Sequence, residues 1–215
     1  MRPATLKKRR IQMYRKDRNW MIPRAMGICL ALVMFIIFLP SPSYSSGIYR
    51  NISAYDCYFL KYSSRYFGSD FDWRYFKAQA IAESNLKPAV QSQDGALGIM
   101  QILPSTFREI TRKNPSIWSD PRQPRWNIAA GIYYNWIMWN EWQATGTVQD
   151  RRNFMLGSYN AGKGNILKAQ QLATRFGLNP NSWESVSRML LLAGDSGKET
   201  VAYVKKVNRI WNGLQ

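Results

Sequence analysis

From residue 71 onward, the chain carries apolar residues at the spacing of amphipathic helices, with polar residues between them. No useful run alternates apolar and polar residues, which is the pattern of a half-buried strand. The chain is therefore predicted to form an all-α domain of about 145 residues. Its candidate helices span 72–84, 104–113, 126–142, 150–160, 163–175, 182–192 and 197–212.

The predicted helix ends rest on residues with strong positional preferences. Asp72 and Asp150 are good N-caps, because a carboxylate accepts hydrogen bonds from the first free amides of a helix. Pro104 fits the first turn of its helix. Gly162 and Gly213 fit helix C-termini.

The first candidate helix contains Glu83, the most informative residue of the chain. Trp73, Phe76 and Ala80 share one stripe of this helix, and Glu83 follows seven residues after Phe76, in line with that stripe. A carboxylate on an apolar face is costly to bury in its ionised form, so the pKa of Glu83 should rise. A raised pKa suits a general acid near neutral pH. The simpler alternative is a glutamate at a helix end that reaches solvent.

The amino-acid composition excludes several kinds of catalytic and metal site. The chain has 215 residues, 46% of them apolar, which is enough for one ordinary domain and an accessory segment. It contains no histidine, which excludes Ser-His-Asp and Cys-His catalysis and histidine-ligated metals. We expect no metal and no cofactor.

Positive charge is spread unevenly along the chain. The formal net charge is +17; residues 1–24 carry nine lysines or arginines against Asp17 alone, and the remainder carries 21 basic against 12 acidic residues. The globular part is therefore basic in its own right. A positive net charge is suited to binding an anionic partner: nucleic acid, anionic lipid or an acidic polymer such as bacterial wall glycan.

The N-terminal region has the order of an export signal. A basic head at 1–24 precedes 15 uncharged apolar residues at 25–39, and a Pro- and Ser-rich stretch follows. We expect a cytoplasmic head at 1–24, a signal or membrane anchor at 25–39, and a linker at 40–67 with one short helix near 55–66. The helical domain at 68–215 is then expected on the periplasmic side. The apolar run is short for a membrane span, which needs about 17–25 residues, so a cleaved signal and an inner-membrane anchor both remain open. The alternative is a nucleic-acid-binding tail beside a buried core helix.

Four further segments carry candidate chemistry. They are the glycine-containing loop 92–104, the helical segment 126–134, the helix end 157–162, and the segment 198–207, in which Glu199 and Tyr203 stand four residues apart on one helix face. Each has an ordinary structural explanation. For Glu199 this is a capping box that begins at Ser196.

Taken together and in this order, these segments resemble the lytic transglycosylases of the soluble lytic transglycosylase type, glycoside hydrolase family 23. The matching motifs are Glu83-Ser84, then Gly98-Ile99-Met100-Gln101, then Asn127 through Tyr134, then Tyr159-Asn160-Ala161-Gly162, then Glu199-Thr200 with Tyr203-Val204. The resemblance covers roughly residues 68–212, and the opening Phe71-Asp72-Trp73 looks most like the membrane-bound members. It implies a lysozyme-like helical fold with a long glycan cleft.

The resemblance also implies residue roles. Glu83 would be the sole acid and base, cleaving the bond between N-acetylmuramic acid and N-acetylglucosamine without water and leaving 1,6-anhydromuramyl ends. Tyr203 would hydrogen-bond Glu83, and Met100 would pack under a sugar ring unless it is a core residue. The implied substrate-binding residues are Ser92, Met100, Gln101, Tyr159, Asn160, Glu199 and Tyr203. The expected partner is the glycan strand of peptidoglycan, with the membrane as a second partner if the N-terminal segment is uncleaved, and no nucleic acid.

Two other functions remain possible at this point. A hydrolytic lysozyme of the goose type would share the fold and would need an acid such as Asp94 or Asp120 to hold a water. A wall-binding or wall-remodelling component of an envelope-spanning machine would need little activity or none. An intact Glu83 argues against an inert module.

Overall fold

A computed structural model describes residues 54–215 of the chain. The described residues form eight helices, and their pairing outside helices is limited to two isolated β-bridges, Gln91 with Leu97 and Leu97 with Ile102. The predicted all-α class is confirmed. The helices are α1 (Asp56–Phe67), α2 (Arg74–Ser84), α3 (Pro104–Lys113), α4 (Pro124–Glu141), α5 (Val148–Ala161), α6 (Lys163–Arg175), α7 (Trp183–Leu192) and α8 (Asp195–Leu214).

Every predicted helix is present, and its ends lie within two residues of the predicted bounds. Pro104 is the first residue of α3, and Gly162 separates α5 from α6 with a φ of 80°. Gly213, in contrast, lies inside α8, which continues to Leu214. The predicted glycine stop at 213 is therefore wrong, because a glycine one residue from a helix end can simply complete the last turn.

The N-cap predicted at Asp150 is also wrong. Thr147 caps α5: its Oγ1 accepts a hydrogen bond from the backbone nitrogen of Asp150 at 2.9 Å. The Asp150 carboxylate accepts instead from the backbone nitrogen of Trp183, the first residue of α7, at 2.8 Å. It thereby satisfies a free amide of another helix. Asp72 is not the N-cap of α2 either, since that position is Trp73, but its Oδ1 accepts from the backbone nitrogen of Arg74, the first residue of α2.

Helix α2 lies at the centre of the domain. Its residues 75–81 are all buried, so the helix is enclosed on every side rather than along one stripe. It packs mainly against α8, with α1 on another side. Burying a side chain such as Phe76 contributes roughly 1.5–3 kcal/mol. A helix held this tightly is a rigid support for Glu83, which stands in its last turn.

Helix α1 falls within the stretch that we expected to be a linker with a short helix. The helix is present, and Phe59 and Tyr62 on it are buried against α4. The Nζ of Lys77, a buried residue of α2, lies 2.8 Å from Oδ1 of Asp56 at the start of α1. Helix α1 therefore belongs to the packed core.

The basic head, the apolar run at 25–39 and the start of the linker lie outside the described residues. Within residues 54–215, no helix combines the length and the apolar character needed to cross a bilayer.

Candidate active site

Glu83 lies at the wall of a large cavity, with its side chain half-buried. Burial raises the pKa of Glu83 from 4.5 to about 7, and the Tyr203 hydrogen bond and the Lys206 charge act in the opposite direction. The predicted rise is confirmed. Near neutral pH this carboxyl can both give and take a proton, as a single acid/base residue must.

Helix α8 supplies the two groups that moderate this pKa. The Tyr203 hydroxyl donates a 2.5 Å hydrogen bond to Oε1 of Glu83, as predicted. Lys206, one turn further along α8, donates from Nζ to the carbonyl oxygen of Ala82 at 2.7 Å, which holds its charge close to Glu83. Burial raises the pKa of Tyr203 well above its ordinary value, so the hydroxyl stays a donor.

The loop between α2 and α3 is fixed by one buried amide from α4. Oδ1 of Asn127 accepts from the backbone nitrogen of Met100 at 2.7 Å, and Nδ2 donates to the carbonyl oxygens of Leu97 and Pro121, both at 2.8 Å. Gly98 lies against this amide: a Cβ there would come within 2.7 Å of Asn127 Nδ2, and its φ of 73° also requires glycine. The loop that borders the cavity therefore takes its shape from α4.

The cavity has a volume of about 690 Å³ and brings most of the expected binding residues together with Glu83. Five of them line it: Ser92, Gln101, Tyr159, Asn160 and Glu199. Tyr203 reaches Glu83 without being one of the lining residues. This volume lies within the range of ligand pockets in proteins, which is about 300–1,000 Å³.

Met100 differs from the other predicted binding residues. Its side chain is 0% exposed and packs against Gly131 of α4, so it does not line the cavity. The structure favours the alternative that Met100 is a core residue. Its backbone still supports the site, because its carbonyl oxygen accepts a 2.7 Å hydrogen bond from the Tyr159 hydroxyl.

Gln101 has fewer free hydrogen-bonding groups for a ligand than a glutamine side chain can provide. Its Nε2 donates to the carbonyl oxygens of Val90 and Gly98, at 3.1 and 2.8 Å. Both donors of the amide are therefore used within the loop, and Oε1 is the atom left to receive a hydrogen bond from a sugar.

Glu199 is exposed on the cavity rim in the second turn of α8. The capping box that would have explained it does not form: the N-cap is Gly194, with no side-chain cap, and Ser196 is already inside the helix. Gly197, two residues earlier in α8, lies against α7, where a Cβ would come within 1.8 Å of the Leu190 carbonyl oxygen. Nothing in the sequence signalled this close approach.

The two acids proposed for a hydrolytic mechanism lie in different places. Asp94 is exposed and lines the cavity. Asp120 lies in an exposed turn, where its Oδ1 accepts from the backbone nitrogen of Arg122, and it does not line the cavity.

Two buried residues behind Glu83 escaped the sequence analysis. Gln79 of α2 donates to the Tyr203 hydroxyl oxygen, and Asn135 of α4 donates to Gln79. The available signal was an amide side chain inside a largely apolar helical segment, in both α2 and α4.

An all-α domain whose cavity wall carries one half-buried, protonatable glutamate has the architecture of the lysozyme-like proteins. The family model for the transglycosylase SLT domain matches residues 62–180, more than half of the chain, and the chain belongs to this family.

Individual relatives agree with the family assignment. The chain is 31% identical over 177 residues to the membrane-bound lytic murein transglycosylase F of Shewanella halifaxensis, a match that covers 76% of this chain and 36% of the relative. The chain spans about a third of the length of the curated relatives it matches.

Solved structures share the fold. The 70 kDa soluble lytic transglycosylase of Escherichia coli superposes with a TM-score of 0.58 at 27% identity, over 75% of this chain and 24% of that one. An inactive mutant of the lytic transglycosylase Slt of Pseudomonas aeruginosa superposes with a TM-score of 0.60 at 18% identity, over 76% of this chain and 25% of that one. At that identity the second likeness concerns the fold alone.

Proposed function

We propose that this domain is a peptidoglycan lytic transglycosylase, which cleaves the β-1,4 bond from N-acetylmuramic acid to N-acetylglucosamine and leaves 1,6-anhydromuramyl ends. The observation that carries the proposal is Glu83: a half-buried carboxyl with a pKa of about 7 at the wall of a 690 Å³ cavity. Membership of the SLT family and the printed names of the relatives support the substrate class.

The reaction needs one carboxyl group that acts twice. Protonated Glu83 donates its proton to the glycosidic oxygen, the bond from this oxygen to C1 breaks, and the N-acetylglucosamine end leaves as an alcohol. The acetamide oxygen of the muramic acid stabilises C1. Glu83, now ionised, takes the proton of the C6 hydroxyl, whose oxygen bonds to C1. Glu83 ends the cycle protonated, and no water is consumed.

The surroundings of Glu83 suit both steps. Burial favours the protonated form that the first step needs, whereas Tyr203 and Lys206 stabilise the carboxylate that it leaves behind. These opposing effects keep both forms accessible near pH 7, which is the condition for efficient acid and base catalysis by one group.

The remaining cavity residues would bind the glycan. Ser92, Asn160 and Glu199 offer hydroxyl, amide and carboxylate groups along the rim, and Gln101 offers its Oε1 acceptor. Tyr159 presents a ring held in an edge-on contact with Tyr134. Sugar hydroxyl and acetamide groups hydrogen-bond to such side chains, while ring faces pack on aromatic ones.

The N-terminal region supports an envelope location for the enzyme. The relatives of the F type are named membrane-bound, and the basic head followed by the apolar run at 25–39 is the pattern of an export signal. We propose that the domain acts on the periplasmic side of the envelope, either anchored by this segment or released from it. A dedicated role in one wall-spanning machine is compatible with this location.

The products distinguish transglycosylation from hydrolysis. Purified sacculi digested with the wild-type protein should yield muropeptides about 18 Da lighter than hydrolysis products, because an internal hydroxyl replaces water. They should carry no reducing muramyl end. The variant Glu83→Gln, which has the same shape but no transferable proton, should leave sacculi intact. Reducing muramyl ends in a clean digest would identify a lysozyme, and cleavage by Glu83→Gln would remove Glu83 from the mechanism.

A further inference from the structure

A series of hydrogen bonds leads from Glu83 to two buried residues that do not line the cavity. The Tyr203 hydroxyl, which donates to Glu83, accepts from Nε2 of Gln79 at 3.1 Å. Oε1 of Gln79 in turn accepts from Nδ2 of Asn135 at 2.7 Å. Gln79 and Asn135 are 0% exposed and do not line the cavity, so neither can touch a substrate.

Asn135, the last member of this series, determines which group donates in each of its hydrogen bonds. Nδ2 of Asn135 also donates to the carbonyl oxygen of Gly131 at 2.9 Å, and a backbone carbonyl can only accept. The amide of Asn135 must therefore turn its nitrogen toward Gly131 and Gln79. Gln79 must then present Oε1 to Asn135 and its nitrogen to Tyr203. Because the Tyr203 oxygen accepts from Gln79, its single proton points to Glu83.

This arrangement is poorly explained by stability. Oδ1 of Asn135 is buried and has no hydrogen-bond partner among the described residues, which destabilises a fold. Two apolar side chains of similar volume would fill the same space without an unpaired group. The feature that an apolar pair could not supply is the hydrogen bond to Tyr203.

We propose that Gln79 and Asn135 are positioning residues that keep the Tyr203 hydroxyl as a donor to Oε1 of Glu83 and so direct the catalytic proton to Oε2. A carboxyl whose Oε1 receives a hydrogen bond can carry its proton on Oε2 without losing that bond. The inference rests on the proposed acid/base function of Glu83. The proton leaves Oε2 for the glycosidic oxygen and returns to Oε2 from the C6 hydroxyl.

The hydrogen bonds from Asn135 to Gln79 and from Gln79 to Tyr203, here called the relay, also affect the ionisation of Glu83. The charged and titratable groups that face Glu83 are Tyr203 and Lys206 of α8 and Tyr159 of α5, with Tyr134 of α4 next to Tyr159. A hydrogen bond received by the Tyr203 oxygen polarises its hydroxyl and strengthens its donation. Loss of the relay should therefore weaken the stabilisation of the carboxylate and raise the pKa of Glu83.

The test replaces both amides by apolar residues of similar size, Gln79→Met with Asn135→Leu. We expect the double variant to unfold at the same temperature as the wild type or higher, since no amide is left unpaired. Its kcat on solubilised glycan strands should fall roughly 10- to 100-fold with KM unchanged, because the proton is no longer directed. The alkaline limb of its pH profile should move up by roughly 0.5 unit.

A direct titration measures the same effect without turnover. In protein labelled with carboxyl ¹³C glutamate, the Glu83 resonance is the one lost in Glu83→Gln, and its pKa should rise by roughly 0.5 unit in the double variant. The matched control is Asn140→Leu. Asn140 also lies on α4 and also donates to the carbonyl four residues before it, but it is exposed. The control should change neither the pKa of Glu83 nor kcat.

A purely structural role predicts a different result: a stable double variant with the kcat, pH profile and Glu83 titration of the wild type. That result would overturn the relay. If the apolar pair fails to fold, the single variant Gln79→Met removes the donor to Tyr203 and leaves Asn135 bonded to the Gly131 carbonyl. The pKa of Glu83 should rise in this variant as well, and an unchanged titration would contradict the proposal. A wild-type protein that does not cleave glycan would refute the proposed function, while the titration would still decide the relay.

Discussion

Replacing Glu83 by glutamine should stabilise the domain, and the gain should depend on pH. The pKa of Glu83 is raised from 4.5 to about 7 in the folded protein. Below pH 4.5 the group is protonated in both states and ionisation costs nothing. Between pH 4.5 and 7 the unfolded chain ionises while the folded one does not, so the wild type loses stability as the pH rises; above pH 7 the loss is complete.

The size of the loss follows from the same two values. At about 1.4 kcal/mol for each pH unit, the raised pKa corresponds to roughly 3 kcal/mol, and screening at the open side of the cavity reduces this to about 2–3 kcal/mol. Glutamine has no ionisable proton and can still accept from Tyr203 through Oε1. The difference in unfolding free energy between Glu83→Gln and the wild type should therefore grow by about 2–3 kcal/mol from pH 4 to pH 8.

Urea denaturation of both proteins at half-unit steps from pH 4 to pH 8 measures this difference directly. Other ionisable groups are common to the two proteins and cancel in the comparison. A difference that stays flat across the range would refute the reasoning, because it would mean that Glu83 has the same pKa in the folded and unfolded chains. A difference that shrinks as the pH rises would mean that the pKa of Glu83 is lowered, not raised, in the folded protein.

Three further outcomes are expected. Asp94→Asn should retain most glycan cleavage, and loss of activity with reducing products from the wild type would favour a hydrolytic mechanism. Gly197→Ala should lower the unfolding free energy by about 1–3 kcal/mol or more, because its Cβ would collide with the Leu190 carbonyl; Gly164→Ala in α6, where a Cβ meets nothing within 4 Å, is the matched control and should be neutral or stabilising. An alkaline phosphatase fused after Gly47 should be active outside the cytoplasm, and activity confined to cytoplasmic reporters would contradict export.

Much of the architecture could be predicted because its determinants are local. Helix bounds follow from the spacing of apolar residues and from breakers such as Pro104 and Gly162, which act within one or two turns. The raised pKa of Glu83 was predictable because a carboxylate in line with Phe76 on a core helix has to be taken out of water.

The missed features depend on partners distant in sequence. The Gln79 amide is explained by Asn135, 56 positions later, and by Tyr203, 124 positions later. The position of Asp150 predicts a cap of its own helix, but its carboxylate accepts from the first amide of α7, and this contact exists only when the two helices pack. A local pattern identifies a polar residue in a helix, but it does not identify the group that this residue meets.

The Asn127 amide has a consequence for the motion of the active-site loop. One side chain of a core helix holds the amide of Met100 and the carbonyls of Leu97 and Pro121, and thus two segments far apart in sequence. The loop cannot open by itself without breaking bonds made to a fully buried group. Hydrogen exchange at the Met100 amide should therefore require the same opening event that exposes the first turn of α4. Glycan strands would then meet a cleft wall that is already ordered, and binding would not have to supply the free energy for ordering it.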